Sequence, residues 1–101
     1  MTTVRDLALV RAGDKGNTSN VVVVADSAAA YDTLVRELTE DRVFERFEHL
    51  GADATERYEV PATRSLNFVV RGVLAGGVTT SLRVDSHGKA LSSLVAGMSV
   101  P

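Results

Sequence analysis

The sequence predicts one α+β domain folded as a two-layer sandwich, with about four strands and helices packed on one face. Three observations carry that expectation. The chain has 101 residues, close to the commonest domain size, so one hydrophobic core is expected and there is little room for a second. The run Val21-Val-Val-Val24 is β-branched throughout, as suits a buried strand. Elsewhere apolar residues recur every three or four positions in some segments and every second position in others, which are the periods of helix and strand.

Taken in order, Val4 to Val10 is short and apolar-rich and reads as a strand. A polar loop, Arg11-Ala-Gly-Asp-Lys-Gly-Asn-Thr-Ser-Asn20, leads to Val21–Val24 as a second, central strand. Asp26-Ser27 supplies an N-cap for a helix whose stripe, Tyr31, Leu34, Val35 and Leu38, should face the sheet. Thr39 can cap a second helix, with Glu40 and Asp41 at the positive end of its dipole, a stripe of Val43, Phe44, Phe47 and Leu50, and Gly51 as its stop. Thr55 to Val60 mixes charged residues with Tyr58 and Val60, and Pro61 ends the run, as suits an exposed or edge strand. Ser65 to Leu74 is expected as a third helix, from the stripe Leu66, Val69, Val70, Val73 and Leu74; its β-branched residues leave strand as the alternative. Val78, Thr80, Leu82 and Val84 alternate with polar residues as a strand, Asp85-Ser-His-Gly88 is a turn, and Lys89 to Ala96 closes the chain as a short helix. The strand-helix-strand unit near the end should make a right-handed parallel crossover.

Composition excludes several classes of function. The formal net charge is -2 and no run of Lys or Arg occurs, so no nucleic acid partner is expected. Without cysteine there is no disulfide framework, thiolate ligand or thiol nucleophile, which fits a reducing compartment; the cytoplasm is the expected location. No window approaches the roughly 18 apolar residues of a membrane span, so no membrane partner is expected. Neither a metal nor a cofactor is expected. Glu45 and His49 share a helical face, but two ligands from one helix fall short of a metal site, and His87 lies in a turn.

The chemistry is concentrated in the loop. Arg11, Asp14, Lys15, Asn17, Ser19 and Asn20 bring several polar groups together, and Gly13 and Gly16 free the backbone to curl around an anion. The spacing is not that of a Walker phosphate loop, and Gly13-Asp-Lys-Gly16 joins strands where the clamp of KH domains joins helices. The competing reading is a polar hairpin whose Asp14, Asn17 and Thr18 bond their own backbone. On the expected third helix, Arg64, Asn67 and Arg71 share one face and could hold a carboxylate or phosphate; a solvated face of Arg stems is the plainer account. Gly76 and Gly77 read as a close-approach site for a ligand or as a helix stop.

Two separated segments resemble a known family. Leu9-Val-Arg-Ala-Gly-Asp-Lys-Gly-Asn-Thr-Ser-Asn20 and Leu66-Asn-Phe-Val-Val-Arg-Gly-Val-Leu-Ala-Gly-Gly-Val-Thr-Thr-Ser-Leu-Arg-Val-Asp85 look like the carboxyl-terminal domain of acyclic terpene utilisation protein A, as do Glu56-Arg-Tyr-Glu-Val-Pro61 and Gly88-Lys-Ala-Leu91. The resemblance implies a ferredoxin-like fold. In the family the domain follows a much larger one, and it also occurs as a short separate protein encoded near acyl-CoA carboxylases and enoyl-CoA hydratases; this chain resembles the separate form. Ala75 stands where a third glycine would precede Gly76-Gly77, and Ser19 where alanine is frequent.

Three functions remain in view, the last of them a purely structural role, such as an oligomerising domain, in which the loop would tolerate alanine throughout. The first is an accessory subunit or binding module of a larger acyl-CoA-processing protein, with Lys15, Arg11 and Arg71 engaging anionic groups and Asp14 and Asn67 positioning them. The second is a free-standing hydratase or lyase on a carboxylated acyl thioester, working as a homo-oligomer, specifically a dimer, with Asp14 as general base and Lys15 or Arg71 stabilising an enolate-like oxyanion. The residues alone do not decide whether the chain is an enzyme.

Overall fold

A computed structural model describes residues 2–15, 18–48, 51–72 and 89–100. The elements are α1 (Val4–Leu7), β1 (Ala8–Lys15), β2 (Thr18–Ala25), α2 (Ala28–Glu37), α3 (Glu40–Glu48), β3 (Ala54–Val60), a 3-10 turn (Pro61–Thr63), β4 (Ser65–Arg71) and α4 (Lys89–Ala96). The strands form one antiparallel sheet in the order β1-β2-β4-β3, with helices on one face.

Alternation fixes the two faces. On β2 the side chains of Ser19, Val21, Val23 and Ala25 are buried, and on β4 those of Leu66, Phe68 and Val70. These positions meet Leu34 and Leu38 of the α2 segment, Val43 and Phe47 of α3, and Val95 of α4 in one apolar core. Complete burial of each large side chain there stabilises by about 1.5–3 kcal/mol relative to exposure. Near the carboxyl terminus, Val4 N–H donates to Met98 O (2.9 Å) and Val100 N–H to Thr2 O (2.9 Å), which ties the two ends of the described chain together.

The helix caps follow the sequence. Ser27 Oγ accepts from Ala30 N–H (3.1 Å), and Thr39 Oγ1 accepts from Arg42 N–H (3.2 Å). The end of α2 is closed by two arginines from elsewhere. Arg57 on β3 donates through Nη1 to the carbonyls of Val35 (2.8 Å) and Leu38 (3.1 Å), and Arg42 donates to that of Glu37 (2.7 Å). Carbonyls that have no partner within the helix thus receive charged donors.

Three expectations need correction. The segment from Ser65 is β4 and not a third helix, so Arg64, Asn67 and Arg71 do not share a helical face. Its buried residues Leu66, Phe68 and Val70 follow period two, and the segment begins after Arg64 in the left-handed region (φ 53°) and ends before Gly72 (φ 93°). Without that helix the expected parallel crossover does not form; β3 and β4 are antiparallel neighbours joined by the 3-10 turn. Val4–Leu7 is a helical turn, and the first strand runs from Ala8 to Lys15, so most of the polar loop is strand. By contrast, β2 is central and, among the described strands, β3 lies at an edge, as expected. The expected strand Val78–Val84 and turn Asp85–Gly88 lie outside the described residues.

Candidate functional site

The antiparallel register arranges the face away from the helices in rows. Leu9, Val24, Ser65 and Val60 form one; Arg11, Val22, Asn67 and Tyr58 the next; Gly13, Asn20, Val69 and Glu56 a third; Thr18, Arg71 and Ala54 a fourth. Arg11, Asn20, Asn67 and Arg71, singled out in two distant segments of sequence, therefore stand on one surface. No helix packs on it among the described residues.

A polar network spans the β3–β4 side of this face. Glu56 accepts at Oε1 from Arg71 Nε (2.9 Å), with Arg71 Nη2 at 2.8 Å, and at Oε2 from the Tyr58 hydroxyl (2.9 Å). The Arg71 guanidinium, and secondarily the Tyr58 hydroxyl, hold the Glu56 carboxyl below its ordinary range, while the bond to Glu56 pushes the Tyr58 hydroxyl up. Beside them Asn67 Oδ1 is buried without a hydrogen-bond partner. Such a group costs about 1–3 kcal/mol unless something outside the described chain bonds it. Arg11 is exposed and makes no ion pair among the described residues.

Exposed apolar groups share this face. Leu9 is 59% exposed, Tyr58 49% and Val60 39%, and all three belong to this face. Large apolar side chains left open on one sheet face, beside polar groups, are the composition of an interaction surface.

The other predicted site residues are distributed differently. Asp14 and Lys15 lie in β1, in register with Ser19 and Thr18; the Lys15 position thus continues the row of Thr18 and Arg71. Ser19 is fully buried on the helix side, where its hydroxyl donates to Gly13 O (3.2 Å). Arg64 sits at the opposite end of β4, and its carbonyl accepts from Ala25 N–H (2.8 Å). Asn17, Gly76 and Gly77 lie outside the described residues. Glu56 and Tyr58 had no assigned role in the sequence reading. Their signal was the alternation Glu56, Tyr58, Val60, which aligns them on one strand face. Among the described residues no group of three or more His, Asp and Glu side chains gathers as a metal site.

Comparison with known proteins places this geometry in a family. Residues 2–101 match the family model of the AtuA ferredoxin-like domain. No match was found among curated proteins or among solved structures.

Proposed function

The chain belongs to the AtuA ferredoxin-like domain family, and we propose that it works as an accessory, partner-binding subunit of an acyl-CoA-processing system. The observation that carries this reading is the sheet face with no helix over it among the described residues, which holds exposed Leu9, Tyr58 and Val60 together with the partnerless Asn67 carbonyl and the Arg71–Glu56 pair. Apolar area supplies affinity, and a buried unpaired acceptor supplies specificity because only a partner with a donor there removes its cost. Arg11, Asn20 and Arg71 would meet anionic groups of the partner or of a substrate shared with it. The acyl-CoA context comes from the family resemblance.

The test is co-expression with an acyl-CoA carboxylase and with an enoyl-CoA hydratase, the neighbours that the family resemblance implies, followed by size-exclusion chromatography. A complex is expected with the natural sequence and none with Leu9→Glu or Tyr58→Glu, both folded by circular dichroism. Elution of the natural chain apart from every such partner overturns the reading.

A second reading is supported by the register of Lys15 with Thr18 and of Thr18 with Arg71. In it the chain is a homo-oligomeric hydratase or lyase on a carboxylated acyl-CoA, with Asp14 as general base and Lys15 or Arg71 stabilising the oxyanion. Unchanged turnover of the candidate acyl-CoA substrates in Asp14→Asn and Lys15→Ala variants rejects it.

A further inference from the structure

On the helical side of the molecule, the first helical turn, α3 and the segment after α4 border an open cleft of about 440 Å³, lined by Thr3, Arg42, Glu45, Arg46 and the segment Gly97-Met98-Ser99. That volume is in the range of small-molecule sites and exceeds what a lone ion needs. Arg42 is fixed in its wall, donating to Glu37 O (2.7 Å) and to Ser99 O (2.6 Å). Arg46 donates through Nε to Leu94 O (3.1 Å), which orients the guanidinium and leaves its two Nη groups without a partner among the described residues.

Gly97 is the second part of the arrangement. A Cβ there would stand 3.3 Å from the main-chain oxygen of Ser93, 3.6 Å from Nη2 of Arg5 and 3.7 Å from Nη2 of Arg46, so two guanidiniums from separate elements flank the spot that glycine leaves open, with one carbonyl oxygen on its helix side. The two guanidiniums carry like charge, and an anion seated between them would satisfy both. The end of α4 contributes a partial negative charge of roughly half a unit there, which accounts for the Arg46–Leu94 bond but is small against three guanidiniums. The carboxylates nearby form no ion pair with them among the described residues, although the Arg5 charge, after the Thr3 hydrogen bonds, helps to hold Asp6 ionised. Glu45 lines the cleft without an ion pair among the described residues, and Asp6 is occupied by Thr3, whose N–H (2.8 Å) and hydroxyl (3.1 Å) donate to it.

We infer that this cleft binds the phosphate group of a small organic phosphate ester, the oxyanion lying over Gly97 between Arg5 and Arg46. Guanidiniums match phosphate oxygens in paired hydrogen bonds, and two of them suit a dianion. The ester's organic part fills the remaining volume toward Thr3 and Ser99.

The test is titration of the isotope-labelled full chain with inorganic phosphate and with phenyl phosphate, read from backbone amide shifts at Gly97 and Met98. Saturable shifts with both probes are expected, with phenyl phosphate binding at least tenfold more tightly; equal affinity still supports an oxyanion site but assigns it to free phosphate. Arg5→Gln, at an exposed side chain, should weaken both probes at least tenfold without moving the thermal transition. Gly97→Ala should block both by filling the spot between the guanidiniums. Absence of saturable shifts, or binding undiminished in Arg5→Gln and Gly97→Ala, overturns the assignment.

Discussion

Arg71 on β4 reaches across to Glu56 on the edge strand β3, and both its Nε and its Nη2 lie within 3 Å of the same carboxylate oxygen. The other oxygen holds the Tyr58 hydroxyl. One carboxylate therefore organises a cation and a phenol on the face proposed to meet a partner.

This arrangement has a pH signature. Glu56 is held below the ordinary carboxylate range by Arg71 first and Tyr58 second, so its contribution to stability is present above the unfolded-state value and is lost as pH falls through the lower folded-state value. Tyr58 is shifted upward by its bond to Glu56, so it keeps its proton in alkali beyond the ordinary tyrosine range. In Glu56→Gln, the Tyr58 titration followed by absorbance should return toward the ordinary value. A Tyr58 titration identical in both proteins contradicts the network.

Asn67 offers a contrast between stability and binding. Its Oδ1 is buried without a partner, while its neighbours in the row are Val22 and Tyr58. Asn67→Val removes the unpaired acceptor and supplies a better strand former, so chemical denaturation should show a gain of about 1 kcal/mol. The same substitution should weaken the partner complex. A loss of stability would mean that the amide is satisfied in solution.

Arg57 should be among the more costly polar positions. Its guanidinium bonds two carbonyls at the end of α2, and its side chain is only 19% exposed. Arg57→Met keeps the stem and removes the donors, and should destabilise by about 2 kcal/mol in urea titration. A change below a few tenths of that would show that water replaces the donors freely.

Gly72 ends β4 at φ 93°, and a Cβ there would stand 2.7 Å from Asp53 Oδ2 and 3.0 Å from Gly51 O. Gly72→Ala should cost at least about 1 kcal/mol for the backbone conformation alone. The Asp53 side chain can turn aside, whereas the Gly51 carbonyl is main chain. Thermal melting of Gly72→Ala and of the Gly72→Ala, Asp53→Ala pair separates the two contributions.

Much of this fold is legible in local sequence. Ser27 and Thr39 mark their helices because capping is a contact three residues long, and Val21–Val24 marks a central strand by its side-chain shape. The error at Ser65–Arg71 has a definite origin. Leu66, Val69 and Val70 satisfy helical spacing, but Leu66, Phe68 and Val70 satisfy strand spacing equally well, and only pairing with β2 and β3 decides between them. The polar loop was misjudged for a related reason. Arg11 and Gly13 look unlike strand residues, yet they fall on the face with no helix over it, where polarity carries no penalty. The candidate face is half legible: Arg11, Asn20, Asn67 and Arg71 stand out by their chemistry, whereas Glu56 and Tyr58 enter only through register, which no single segment contains.

The same register constrains how the chain can change length. Odd-numbered β1 and β2 positions lie on opposite faces: Leu9 and Arg11 point with Val22 and Val24, and Val21 and Val23 point with Ala8 and Val10. Loss of a single residue within β2 would carry Asn20 into the helix layer and turn Ser19 outward, or carry Val22 in and turn Val23 outward, whereas loss of a pair would restore every remaining side chain to its own layer. Evolutionary drift and engineered trimming of this hairpin should therefore be tolerated in steps of two and resisted in steps of one.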